Sequence, residues 1–561
     1  VNPDVQHEIE PSIYEKRWGI LAVLCTSLMI VIIGNTSLNV ALPTLQRELD
    51  ASTSSLQWMV DSYALVFAGL LFTAGTLGDR FGRKGALQAG LVVFLFGTVL
   101  ASTADTSGMV ITSRAIMGIA AAFVMPSTLS ILTNVFPAHE RPKAIAVWAG
   151  ISGGGAAIGP VASGFLLEHF YWGSVFLVNV PMILIALVLG AILVPKSKDP
   201  EEQPLDLVGA GLSIIGLVSL VYAIIEGPHK GWTSAITLGT FALSVASLAA
   251  FAAWERRAAY PMLDLQLFRD RRFSIASGGM TLTFFAMFGT FFLVAQYFQL
   301  VLGYSPLRTG LLQLPMAVVM MSIAPQVPKA VARFGAHRVV PVGLSLVGLG
   351  LAVFSQVDID TSIWFIYAAI LPLAAGMATT MTPLTTLIMS SVPLGKAGVG
   401  SAMNDTTREL GGALGVAVLG SLVTSKYVAS LGPSLGGLPG PLAAEAEKGL
   451  GNALGVAGQV GGSVGDTVGL AARMAFVDGI GLAAVVGAIV VFAAAAISYF
   501  LLPSSHVLPP AAGGPAGPGQ PGTTTGTPGT DGVVDPTDPV HAPAAGLVID
   551  DGDPEPAPIV D

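Results

Sequence analysis

Fourteen times along this chain an apolar run long enough to cross a bilayer gives way to a polar break. A helix needs about 20 apolar residues to span the hydrocarbon core, rising 1.5 Å per residue. The runs fall near residues 18–42, 56–78, 85–103, 109–136, 143–167, 174–194, 205–225, 233–253, 273–302, 308–328, 338–355, 362–390, 397–425 and 474–502. Only 11% of the 561 residues are charged, against about 25% in soluble domains. The expectation is an all-α membrane protein of fourteen transmembrane helices.

An even number of spans puts both termini on one side, and Lys and Arg decide which. One set of loops, taken with the N-terminus, carries 18 basic residues; the opposite set carries six, and Arg114 and Arg408 fall within spans. Both termini are therefore expected to be cytoplasmic. The net charge of −9 misleads, because eight acids and no Lys or Arg follow Pro503. The rest is nearly neutral and implies no nucleic-acid partner. Cys25, the single cysteine, excludes an intramolecular disulfide. The first 17 residues are polar and lack the layout of a cleaved signal, so the first span is expected to direct insertion.

The tightest break is GTLGDRFGRK, Gly75 to Lys84. Gly75, Gly78 and Gly82 allow two membrane helices to approach, and Arg80, Arg83 and Lys84 hold the hairpin on the cytoplasmic side beside Asp79. Matched in full at the second hairpin, this run resembles the loop between helices 2 and 3 of the Major Facilitator Superfamily of secondary transporters. That resemblance implies a gating hairpin and two six-helix bundles. The organisation expected is a cytoplasmic segment 1–17, a first bundle 18–194, two extra helices and a cytoplasmic linker 195–272, and a second bundle 273–502. An extracellular loop 426–473 interrupts the second bundle, and a disordered acidic tail covers 503–561. Within the loop, Pro441 to Leu454 reads either as a short amphipathic helix or as Gly-rich disorder. The segment Ala332 to Val339, ARFGAHRV, echoes the hairpin and hints at an internal repeat.

Further runs resemble the fourteen-helix drug:proton antiporters, the QacA/EmrB-like exporters. They are SLNVALP (Ser37 to Pro43), LQWMVDSYAL (Leu56 to Leu65), Arg114 with Gly118, and GAAIGPVASG (Gly155 to Gly164). FLVNVP (Phe176 to Pro181), YFQLVLGYSPLRTGLLQLP (Tyr297 to Pro315) and SAMNDTTRELGGALG (Ser401 to Gly415) complete the set. Three departures stand out. Where such proteins commonly carry an Asp in helix 1, this chain has Gly34 followed by Asn35. Trp172-Gly173-Ser174 replaces a common tryptophan-arginine-tryptophan, and Met117 stands where a glutamine is usual.

An ionisable residue at mid-bilayer costs about 2.5–3.5 kcal/mol, so each one requires a reason. Six fall within spans: Asp61, Arg114, Asp405, Arg408, Glu409 and Asp478. Asp61 sits about 8 Å from the outer end of its helix and reads as a functional acid or as one wetted from outside. Arg114 keeps its charge and must face water, carbonyls or a carboxylate. Asp405 and Glu409 share a face, and Arg408 can pair with Asp405. That trio reads either as a self-neutralised patch or as the setting of a cavity carboxylate at Glu409, able to take up and release protons. Asp478 reads as wetted. The resemblance implies proton coupling through Asp61, Arg114, Asp405 and Glu409, and an exporter kink at Gly155, Gly159, Pro160 and Gly164. It also implies a substrate cavity at Asn39, Trp58, Tyr63, Tyr297, Gln299 and Asn404. The aromatic residues Phe284, Phe285, Phe288, Phe291, Phe292, Tyr297 and Phe298 read mostly as packing or lipid-facing, while an aromatic cavity wall would suit flat lipophilic cations.

The leading expectation is proton-coupled export of amphipathic or cationic small molecules by a monomer in the plasma membrane, without cofactor or metal. An exporter of lipids, an endogenous metabolite or a siderophore fits the same scaffold. A membrane enzyme or receptor is the third class, and the chain offers it no nucleotide loop, metal cluster or Ser/His/Asp set. Import by symport is opposed only by the helix 5 motif.

Overall fold

The computed structural model describes residues 11–137, 139–197, 206–392 and 397–503. The expectations for residues 1–10 and 504–561 fall outside it. Among the described residues every regular element is helical. In chain order they begin with α1 (Pro11–Glu48), α2 (Thr53–Phe81), α3 (Arg83–Ser102), α4 (Ser107–Val135) and α5 (Arg141–His169). Next come α6 (Ser174–Leu177), α7 (Asn179–Leu193), α8 (Leu207–Lys230), α9 (Ala235–Glu255) and α10 (Arg271–Gln296). The chain ends with α11 (Pro306–Ile323), α12 (Val327–Phe334), α13 (Ala336–Phe354), α14 (Ile363–Ser390), α15 (Ala397–Leu431), α16 (Gly440–Glu447), α17 (Leu450–Val460) and α18 (Gly462–Leu501). Among the described residues, thirteen helical stretches are long and apolar enough to cross a membrane, and α5, at 29 residues, is not among those thirteen.

Helix starts have local causes. Ser52, Thr106, Asp206, Ser234, Ser305 and Ser362 each accept the N–H three residues on, satisfying a donor that the first turn leaves free. The break between α6 and α7 at Val178 has a cause too, since Pro181 has no N–H to continue the ladder. Gly82 separates α2 from α3 at φ 116°, and its N–H bonds to Gly78 O at 3.0 Å. Gly335 separates α12 from α13 at φ 80°, with its N–H on Val331 O at 2.8 Å. An L side chain rarely adopts that backbone. The faint echo at ARFGAHRV thus has the same turn as the hairpin it resembles.

Helices α1 to α7 pack chiefly on one another, as do α10 and α12 to α15 with α18, while α11 packs first on α5 and next on α14. The two groups meet along α2/α15, α5/α11 and α1/α10. Helix α8 packs on α9, and it also lies against both α2 and α15. At this seam Val221 and Ile225 of α8 join Ala64 and Leu65 of α2 and Ala413 and Ala417 of α15 in one buried cluster.

The segment between α15 and α18 departs from the expectation of a loop over 426–473. Helix α15 runs on to Leu431, α18 begins at Gly462, and two short helices cover the ends between them. Of the two readings for 441–454, helix or Gly-rich disorder, the structure has helix, broken in two at Gly449, φ 158°. Gly449 and Gly451 pack against Gln46, where a Cβ would lie 2.5 Å from its side chain. Lys448 O accepts from Thr53 N, and Tyr427 donates to Ala446 O. Packing, rather than intrinsic propensity, orders this Gly-rich stretch. Its side of the molecule is called the cap end below, and the side of Gly82 the hairpin end.

Arg17 of α1 donates to Glu140, just before α5, at 2.7 Å. That hydrogen bond is the main cause holding Glu140 below the usual carboxylate range. A depressed folded pKa gives stability that is present above the unfolded value, about 4.3, and is lost as pH falls through the folded one. Glu140→Gln should therefore lower the melting temperature at pH 7, and the gap should close below about pH 4. Melting curves across that range check it.

Candidate functional site

Arg114 is the largest fully buried side chain, with 0% of its surface exposed. Its Nε donates to Met59 O at 3.0 Å, one terminal nitrogen to Gly34 O at 2.9 Å, and the other to Asn35 Oδ1 at 3.3 Å. The guanidinium lies 4.3 Å from the Tyr63 ring centroid. Of the three settings expected for this charge, the structure provides carbonyls, an amide and an aromatic face. The crossing that allows it depends on Gly118, where a Cβ would stand 2.6 Å from Tyr63 O. Arg114, one turn away on α4, thereby reaches both α1 and α2. Gly34 and Asn35, the departures in helix 1, supply two of its acceptors.

Across the seam, Glu409 of α15 is partly buried. It makes no hydrogen bond or ion pair among the described residues, yet it is near enough to Arg114 and Tyr63 to act on both electrostatically. Asp405 and Arg408 form the expected pair at 3.7 Å. The Asn404 amide donates to Asp405 at 3.3 Å, and Thr385 donates to Asn404 Oδ1 at 3.0 Å. Arg408 also sits 5.6 Å from the Phe284 ring, which stacks on Phe288. One turn thus holds an ion pair beside an acid that makes no hydrogen bond or ion pair among the described residues.

Asp61 is 0% exposed, and neither carboxyl oxygen has a hydrogen-bond partner among the described residues. It lies one turn from Gln57, which donates to Val416 O and Ala417 O of α15 at 3.0 and 3.1 Å. The wetted alternative for Asp61 does not hold in this state. Asp478 is exposed, as expected.

The expected cavity residues scatter. Asn39 is buried with Oδ1 unpartnered, Tyr63 is buried beneath Arg114, and Trp58 packs on Tyr222 of α8 at 6.1 Å. Tyr297, in a π-helical turn after α10, donates to Asp358 O at 2.5 Å toward the cap end. Gln299 donates to Val40 O of α1 at 2.8 Å. Asn404 belongs to the Asp405 network.

In the hairpin, Arg83 N donates to Ser197 O and Lys84 Nζ to Ala191 O at 2.7 Å. Arg80 lies over Phe81. Gly75 packs against Pro126. The Asp79 side chain lies outside the described residues. In α5, Gly155 and Gly159 face α1, and Ser37 donates to Gly159 O at 3.2 Å. The other face interlocks with α11. A Cβ on Gly164 would be 2.5 Å from Pro306 O, and one on Gly310 would be 2.5 Å from Pro160 O. Glu168 accepts from Leu307 N beside them.

Residues 24–416 match the family model of the Major Facilitator Superfamily. The chain belongs to that superfamily. It is accordingly a transport protein and a multi-pass protein of the plasma membrane. It is 38% identical to the multidrug efflux pump LfrA of Mycolicibacterium smegmatis, covering 86% of this chain and 95% of LfrA. It is 34% identical to the methyl viologen resistance protein SmvA of Salmonella typhimurium, over 82% and 93%. Among solved structures, the inward-facing, occupied form of a bacterial homologue of the human lysosomal transporter Spinster matches with TM-score 0.62. That match has 18% identity and covers 88% of this chain and 99% of the other.

Several residues that tie this superfamily member together were not singled out from sequence. Gln57 joins α2 to α15, and Gln46 donates to Asn452 at 3.2 Å in a buried pair. For Gln57 the available signal was a glutamine within an apolar run, since a buried amide requires partners; Gln46 lies between two runs and carried no such mark.

Proposed function

We propose that this transporter exports amphipathic or cationic small molecules in exchange for protons. The names of its relatives support drug efflux. The observation that carries the proton part is Glu409, a partly buried acid with no hydrogen bond or ion pair among the described residues, within electrostatic reach of Arg114 across the seam. In this reading α1–α7 and α10–α18 form the two bundles, α5 is the fourteenth span, and both termini are cytoplasmic. The bundles rock about the seam and expose Glu409 to each side in turn. Protons entering from outside neutralise Glu409, and its release inside alternates with substrate capture. Each charge moved supplies about 2.3 kcal/mol per 100 mV.

Hydrogen bonds between the groups cluster at the cap end, at Gln46, Thr53, Gln299 and Leu307. With that end outside, the state described is closed to the exterior. Asp61, sealed in the α2/α8/α15 seam, is then the acid that gains water only when the seam opens.

Efflux of a fluorescent cation from proteoliposomes under an imposed pH gradient tests the proposal. Glu409→Gln should slow gradient-driven efflux at least about tenfold, the scale of a lost proton relay, while substrate still binds. Unchanged efflux in Glu409→Gln would remove the proton assignment. Movement only of phospholipids or acylated metabolites would replace the drug assignment with the lipid or metabolite one.

A further inference from the structure

Helices α13 and α18 touch from Ser355 and Gly481, through Leu351 and Gly487, to Gly348, where the Phe492 ring sits about where a side chain would begin. Beyond that contact, toward the hairpin end, they part. The wedge between them is a cavity of about 940 Å³ on the outer surface of the helix bundle. Its floor is Phe492, its walls are kept thin by Ala495 and Ala496, and Arg338 and Tyr499 stand at its mouth. Arg338 to Leu349 spans eleven residues, or about 16 Å of helix rise. That matches half of a hydrocarbon core of about 30 Å.

The charge at the mouth has one sign. Arg338 is exposed, and its side chain makes no hydrogen bond or ion pair among the described residues. Lys329 and Arg333 precede it, and neither 329–357 nor 479–503 contains an acid. A void between packed helices forfeits dispersion contacts on every wall atom. Here the surrounding solvent is hydrocarbon, which can enter. An unpaired guanidinium above an apolar slot one leaflet deep matches a phosphodiester above its acyl chains.

We propose that this wedge binds an anionic phospholipid, with Arg338 on the phosphate and an acyl chain running between α13 and α18 to Phe492. The cytoplasmic leaflet as its source rests on the orientation proposed above; the site itself does not.

Native mass spectrometry of the full chain, in detergent with equal phosphatidylglycerol and phosphatidylcholine, tests it independently of any exported substrate. Both lipids offer Arg338 a phosphodiester, but only phosphatidylcholine brings a choline cation beside the guanidinium, so the wild type should retain phosphatidylglycerol about fivefold over phosphatidylcholine, the scale of one basic residue facing anionic lipid. Arg338→Gln should bring that ratio to about one, and Arg338→Lys should keep most of the preference. Ala496→Phe, on an exposed position, should remove one retained phospholipid of either kind. Millimolar inorganic phosphate should displace nothing, because it has no chain to fill the wedge. Equal retention by the wild type, a preference unchanged in Arg338→Gln, or displacement by phosphate alone would each overturn the proposal. Matching melting temperatures of the variants confirm that each is folded.

Discussion

Arg114→Leu is expected to abolish efflux and to lower thermal stability more than any other single substitution in the interior. The guanidinium forms three hydrogen bonds to two neighbouring helices and covers the Tyr63 ring. Hydrogen bonds to a charged group are worth about 1.5–3 kcal/mol each in water-soluble proteins, and interhelical ones in membranes average nearer 0.6. Three of them, less the desolvation the charge no longer suffers, give a loss of about 2–5 kcal/mol. Leucine restores neither the fork nor the volume. Arg114→Lys should recover less than half, because one ammonium cannot reach Met59 O, Gly34 O and Asn35 together. Thermal melts in detergent and dye efflux check both variants. Wild-type melting and efflux in Arg114→Leu would show that α1, α2 and α4 hold their arrangement without it.

Gly310→Val should act on the other seam and leave stability nearly untouched. Its Cβ would stand 2.5 Å from Pro160 O and 2.9 Å from the carbonyl carbon, backbone atoms that cannot swing aside. Helices α5 and α11 must then separate by on the order of 1 Å. Overpacking costs about 1–3 kcal/mol, and that cost falls only on the state in which the seam is shut. The equilibrium between shut and open moves about 5- to 150-fold toward open. Efflux should fall in step, because a seam that cannot close cannot complete a cycle. In a Cys25→Ser background, a cysteine at Gln299, which bonds Val40 O across the same end, should be labelled faster from the cap side. Unchanged labelling would show that α5 and α11 do not govern access. Gly310→Ala should give the milder version of both effects.

The spans were legible because a bilayer demands about 20 apolar residues per crossing, and the demand leaves a mark in composition. The run expected at 85–103 became α3 at Arg83–Ser102, and 362–390 became Ile363–Ser390. The cap helices were not legible for the opposite reason. Pro441 to Leu454 has no apolar face strong enough to choose helix by itself; Gln46 and Thr53, some 400 residues away, choose for it. At the site, the i, i+3 spacing of Asp405 and Arg408 sufficed to foresee their pairing. Arg114 was visible as a charge in oil, but its partners belong to α1 and α2, and no local pattern names a carbonyl as an acceptor. Tyr297 was expected in a cavity on the family resemblance and on the aromatic residues around it. The π-helical turn that carries its hydroxyl to Asp358 O has no signature in sequence.

Helix α8 touches both α2 and α15, and the two partners leave the ribosome far apart in time. Residues 231–396 separate the end of α8 from the start of α15, roughly 8–33 s of synthesis at 5–20 residues per second. Through that wait the strip bearing Val221 and Ile225 is without Ala413 and Ala417, two of its partners in the folded chain. The central joint of the mature molecule therefore closes late in biogenesis, when α15 packs onto α2 and α8.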